Sequence, residues 1–186
     1  MTDRAACAAA VGAAKTVFGG LHLLVNMVGD PDMKVIDDLE AHEFEGLMRS
    51  HLLGNFLLMK ASLPAMAEAG GGAIVTISSL SAIRTGGAGL AYETAKAGLL
   101  AMTRNVALSA AASGIRVNAV LPGALDSAAF RHFAGPAAEG FAQRVPLGRL
   151  GAPADLARAV VFLLSDDAAF ITAGGLLVDG GMAWRI

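Results

Sequence analysis

Four apolar runs punctuate the chain: "LHLLVNM" at 21–27, "AIVTIS" at 73–78, "IRVNAV" at 115–120 and "LLVDG" at 176–180. Each is short and nearly continuous in apolar residues, which predicts a strand buried on both faces of a parallel sheet. Between them apolar residues fall at helical spacing. They predict one or two helices across 38–69, a long one over 91–112 and one from Pro153 to about Leu164. Asp3 is placed to cap an opening helix that runs to about Phe18 before the glycine pair at 19–20. Pro64 is expected to kink or stop the helix that holds it. Strands alternating with helices predict an α/β fold in one domain over 1–186, with neither an internal repeat nor a linker. The loosest stretch, 121–153, is broken by prolines and glycines and suits a loop region with short helices that covers a site.

Composition narrows the classes of partner. With 55% hydrophobic and 16% charged residues the chain is expected to pack a real core. A net charge of −2 without runs of like charge offers no footprint for nucleic acid or an anionic membrane, so a small molecule is the expected partner. The lone Cys7 excludes an intramolecular disulfide and a thiolate metal cluster, which favours a reducing, cytoplasmic setting. The opening residues hold no uninterrupted signal-peptide core, and the longest apolar runs, such as "AVVFLL" at 159–164, fall short of the roughly 20 residues that span a bilayer.

In open α/β sheets ligands bind beyond the carboxyl ends of the strands. The residues there are polar or glycine-rich: "NMVG" after the first run, "SSLS" after the second and "LPG" after the third. Tyr92, the only tyrosine, stands four residues before Lys96, so the two share a helix face. A cation beside a phenol favours the phenolate and draws its pKa toward the working range of an acid/base. The same spacing also describes a packed tyrosine beside a solvated lysine, which is the commoner case for such a pair taken alone. Ser79 ends the second strand, where it can donate to a substrate oxygen or cap a turn. Asn26 can meet a ligand or satisfy backbone groups between strands. His51 lies on a helical stretch, and the histidines at 22, 42, 51 and 132 show no metal-ligand spacing, so no metal site is expected. Trp184 and most methionines read as packing or surface residues.

Together these segments resemble the short-chain dehydrogenase/reductase family. "LLVNMVG" is similar to its LVNNAG, "GGAIVTISSLSA" with "YETAK" to its Ser, Tyr and Lys region, and "GIRVNAVLPGALDS" to its RVNAVxPGxxxT. "RLGAPADLARAVVFLLSDDAAFITAGGLLVDGG" is similar to its closing segment. The resemblance runs through nearly the whole chain, in the family's order and spacing. It implies a Rossmann-like doubly wound parallel sheet and hydride transfer between NAD(H) or NADP(H) and a secondary alcohol or ketone. It further implies Tyr92 as acid/base, Lys96 as the residue that lowers its pKa and holds the nicotinamide ribose, and Ser79 as the group orienting the reacting oxygen. Asn26, Met27 and Gly29 fall in its cofactor segment. Pro122, Gly123 and Leu125 would line the nicotinamide face, and Ser127 stands where a carboxamide-binding Thr is usual. Assembly as a homodimer or homotetramer through the long helices is implied as well. The closing segment resembles that of 3-oxoacyl-carrier-protein reductases, an ending that many members share.

Three departures stand out. His51 occupies the position of the family's catalytic Asn, and an imidazole that donates and accepts can serve a proton relay with an altered pH profile. Met27 replaces the second Asn of NNAG. The glycine-rich TGxxxGxG loop that approaches a pyrophosphate is not in the sequence, nor is the residue that separates NAD from NADP. About 60 residues would be needed for the missing strands and helices if each βαβ unit takes about 30. The sheet is therefore expected to be truncated, with "LHLLVNM" at its edge. "MTD" resembles the family's DVTD with Met1 at the valine, whose GTG codon can serve as a start. The expectation is the C-terminal part of a longer enzyme, and the alternative is a catalytically silent relative acting as an interaction subunit or a non-functional fragment.

Overall fold

The computed structural model describes residues 2–29, 32–85 and 88–184, with the side chains in those spans except Phe133 and Glu139. Four parallel strands form one sheet in the order β1 (Leu23–Asn26), β2 (Gly72–Ile77), β3 (Ile115–Pro122) and β4 (Gly175–Val178). All four fall on the apolar runs. β3 extends to Pro122 because β4 continues the ladder there, with Leu121 opposite Leu177 and Pro122 opposite Val178. β4 stops at Val178 because Asp179 folds the chain into a turn, accepting from the amides of Gly181 at 2.9 Å and Ala183 at 2.6 Å.

The helices start and end where local chemistry directs. α1 (Arg4–Phe18) is capped by Asp3, whose carboxylate accepts from the Ala5 amide at 2.8 Å, and it ends at Gly19 in the left-handed region. α2 (Ala41–Met48) and α3 (Gly54–Glu68) are one expected helical stretch, joined by a π-helical turn over Arg49–Leu53. Pro64 sits inside α3, which continues past it to Glu68. α4 (Leu90–Ala110) is the long helix. The segment 121–153 winds into α5 (Ala128–Ala134), α6 (Ala138–Phe141) and turns, and α7 (Pro153–Leu164) begins with its proline in the first turn.

Two apolar layers sandwich the sheet. On one face Met59 and Met66 of α3 and Ala107 and Ala110 of α4 pack on Ile74, Ile115 and Val117. On the other Val160 and Leu163 of α7 pack on Val75, Ile77 and Val120. Arg116 fastens α7 by donating to the carbonyls of Leu163 at 2.8 Å and Ser165 at 3.0 Å, which the end of a helix leaves without helical partners. α1 lies against α3 and buries Cys7 and Val11.

The amino-terminal rim is tight. Gly70, Gly71 and Gly72 all take positive φ, and a Cβ on Gly72 would lie 2.0 Å from the His22 carbonyl, one on Gly71 2.6 Å from that of Gly114. At the side of the sheet β1 pairs only with β2 among the described residues, and Leu23 and Val25 stay 52% and 43% exposed.

Candidate active site

The carboxyl ends of the strands bring the polar segments together. β2 ends at Ile77, after which the buried Ser78 donates its hydroxyl to the Lys96 carbonyl at 2.8 Å. Ser79 opens a short turn, its oxygen accepting from the Ser81 amide at 3.1 Å. The start of α4 is pinned to the segment after β1: the Gly89 amide donates to the Asp32 carbonyl at 2.9 Å and the Leu90 amide to that of Lys34 at 3.0 Å. Tyr92 is thereby placed in the first turn of α4, over the end of β2.

Lys96, one turn further along α4, is buried, and its ammonium donates to the Ile77 carbonyl at 3.0 Å. Nζ lies 5.4 Å from the centre of the Tyr92 ring. Burial disfavours the ammonium and brings the Lys96 pKa down to about 8. The Tyr92 phenol is pushed above its ordinary value by burial, against which a hydrogen bond from the Ser79 hydroxyl works in the lowering direction. The sign differs from what the Tyr92–Lys96 spacing suggests. The reason is physical: desolvation of the phenolate outweighs the hydrogen bond, while the lysine ammonium donates to the strand carbonyl.

His51 is fully buried in the π turn and meets Tyr92 edge to face, with ring centroids 5.6 Å apart and planes at 89°. The π turn shifts the helical ladder, and the Asn55 side-chain amide donates to the His51 carbonyl. Neither Asn55 nor the Ile77 carbonyl was singled out from sequence. The amide four residues after His51 was a readable signal, whereas a backbone carbonyl carries none.

The remaining predicted residues divide. Asn26 is buried at the end of β1, and neither atom of its side-chain amide has a partner among the described residues. Gly29, at φ +136°, lies directly against the His51 ring. Met27 points outward, 69% exposed. Pro122 ends β3, and Gly123 packs on Asp179, where a Cβ would lie 2.8 Å from the aspartate Cβ. Leu125 bridges to Gly151, and the Ser127 hydroxyl caps α5 by accepting from the Phe130 amide at 3.1 Å. Ser79, Tyr92, Lys96 and His51 form one cluster, whereas Gly123, Leu125 and Ser127 have structural tasks of their own on the β3 side. Among the described residues no group of three or more His, Cys, Asp or Glu is placed to hold a metal ion, and no helix is long and apolar enough to cross a membrane.

This architecture has relatives. The family profile described as Enoyl-(Acyl carrier protein) reductase matches residues 1–183. A solved short-chain dehydrogenase/reductase structure from Burkholderia xenovorans superposes with a TM-score of 0.92 at 37% identity, covering 100% of this chain and 72% of that one. The chain belongs to the short-chain dehydrogenase/reductase family. Within it, L-rhamnose 1-dehydrogenase (NAD(P)(+)) of Azotobacter vinelandii is 38% identical over 175 residues, 92% of this chain and 68% of that protein. The 3-oxoacyl-[acyl-carrier-protein] reductase of Escherichia coli is 34% identical over 182 residues, 98% of this chain and 75% of that protein. By resemblance to such named dehydrogenases and reductases the chain is of the short-chain dehydrogenase/reductase enzyme type.

Proposed function

We propose that this chain serves hydride transfer between a nicotinamide cofactor, NAD(H) or NADP(H), and a secondary alcohol or ketone, with Tyr92 as the acid/base. The observation that carries the reading is the meeting of Ser79, Tyr92 and Lys96 at the carboxyl rim of the sheet. The reaction class draws support from relatives named as an NAD(P)-dependent sugar dehydrogenase and a 3-oxoacyl reductase. When bound, the cofactor supplies or accepts the hydride. Two features suit its nicotinamide half: the buried amide of Asn26, and an ammonium on Lys96 with donors beyond the one given to Ile77. Pro122, Gly123, Leu125 and Ser127 flank the same rim.

The chain's own groups suit the reductive half of the reaction, in which a proton is delivered to a carbonyl oxygen. A phenol held above its ordinary pKa keeps its proton at neutral pH and can give it to a carbonyl oxygen that Ser79 orients. As the phenolate forms, its charge draws Lys96, poised near pH 8, toward the ammonium, which in turn stabilises the phenolate. The segment from Asp126 to Arg144 flanks the substrate side. In it Phe130 and Phe141 meet edge to face at 5.2 Å, and the Arg144 guanidinium lies 4.6 Å over Phe141. Both a ring system and an acyl thioester suit such a wall. We further infer a cytoplasmic enzyme that assembles as a homodimer or homotetramer through α3 and α4.

Replacing Tyr92 by Phe is expected to lower turnover by about 10²–10⁴-fold while leaving cofactor affinity within a few-fold. Turnover close to the parent's would overturn the assignment. The second reading, a silent interaction subunit, is favoured by the exposed apolar edge of β1. Fluorescence titration of the purified chain with NADH and NADPH separates the two: saturable binding supports the enzyme, and no binding to a folded chain supports the subunit.

A further inference from the structure

The His51 imidazole touches two elements at once. One side stands edge-on to the Tyr92 ring. The other rests on the backbone of Gly29, where a Cβ would lie 2.0 Å from Cε1 and 2.1 Å from Nδ1 of the imidazole. Real Cβ atoms do not approach that closely, so any residue with a side chain at position 29 must displace the ring. The ring also has little freedom at its base, because the π turn carrying it is tied by the Asn55 amide to the His51 carbonyl. The imidazole is thus clamped between the loop after β1 and the first turn of α4.

We propose that His51 is a positioning residue, a wedge whose ring shape fixes the Tyr92 ring and keeps water from it, and that position 29 is glycine in order to admit the wedge. A wedge makes a different demand from a proton relay: what holds Tyr92 in place is the shape of the ring. The catalytic consequence rests on Tyr92 being the acid/base, but the wedge can be tested without cofactor, substrate or turnover. Among the described residues the groups facing Tyr92 are Lys96 on α4, Ser79 from the turn after β2 and His51 from the π turn. Removing the ring admits water to a phenol whose titration is held up by burial, so its midpoint falls.

Tyr92 is the only tyrosine, so near-ultraviolet phenolate absorbance titrates it alone, and ring-labelled tyrosine gives its NMR signals alone. His51→Ala is expected to lower the phenol midpoint by about half a unit or more, and His51→Phe to leave it within about 0.2 of the parent. Gly29→Ala is expected to move the Tyr92 ring signals at neutral pH in the parent, and to leave them in place when combined with His51→Ala. An unchanged midpoint in His51→Ala, or a fall in His51→Phe as large as that in His51→Ala, overturns the wedge. Equal signal shifts from Gly29→Ala in both backgrounds overturn it as well, since simple backbone strain does not depend on residue 51. Circular dichroism checks that each variant is folded. Should Gly29→Ala not fold, the Phe and Ala comparison at position 51 decides; should His51→Ala not fold, His51→Asn replaces it with the same expected fall. A Tyr92→Phe variant that keeps its turnover would remove the acid/base reading and leave these titrations standing.

Discussion

Lys96 gives the site a measurable pH signature. Its pKa is about 8 in the fold, against about 10.4 in an unfolded chain. Between those values the unfolded chain binds more protons, so stability rises with pH across that window, and below about 8 the contribution to the slope vanishes. Tyr92 works in the opposite sense: its raised pKa lets the folded state keep a proton the unfolded state has lost, so stability falls as the pH passes about 10. The thermal midpoint is therefore expected to climb from pH 8 to about pH 10, and Lys96→Met to abolish the climb, as calorimetry at stepped pH would record. A parent protein with a flat or falling profile in that window would contradict the buried ammonium. That Tyr92 and Lys96 share a helix face and that Ser79 stands at a strand end could be read from spacing, whereas a catalytic reading of the three came only from the resemblance of the segments around them. The sign of the phenol shift was not, because it depends on how much water the fold removes.

At the scale of elements, the π turn and α4 depend on one another. Gly98 lets α4 come close: a Cβ there would stand 3.0 Å from a Leu52 methyl on the turn that also carries His51. Gly98→Val is expected to cost about 1–3 kcal/mol in denaturant unfolding by overpacking that contact. Deeper in the same layer, Met66→Ala should cost about 2–5 kcal/mol, since the thioether chain is wholly buried against Ile74 and Ala110. The four strands and the main helices could be read from apolar runs and caps. The π turn could not, since "RSHLLGNF" keeps ordinary helical spacing and an added backbone residue per turn leaves no mark in composition.

For the whole molecule the open side of the sheet sets behaviour in solution. The apolar runs suggest strands covered on both faces, but β1 is not: Leu24 and Asn26 turn inward while Leu23 and Val25 stay exposed. Among the described residues that edge has no strand beside it, so it presents backbone groups as well as apolar side chains, a combination that templates association. Sedimentation velocity of the 186-residue chain should show concentration-dependent self-association, reduced by Val25→Lys; a monomer at every concentration would show that the edge is inert. The resemblance placed this strand at an edge, whereas alternation along the strand did not, because two exposed positions in a four-residue run are too few to set a period.

The glycine-packed rim at the other end of the strands bears on how such a chain can change over generations. Gly71 and Gly72 admit almost no substitution, because neighbouring carbonyls fill the space where side chains would stand, and Gly114 holds a left-handed backbone, φ +70°, that other residues rarely adopt. Yet they lie the length of a six-residue strand, roughly 20 Å, from the reacting groups. Mutational tolerance is thereby split between two ends of one sheet. The glycine end is held to its sequence whatever the substrate, so new specificities can be explored at exposed positions of the 121–153 segment, such as Arg131 and His132, far from that rim.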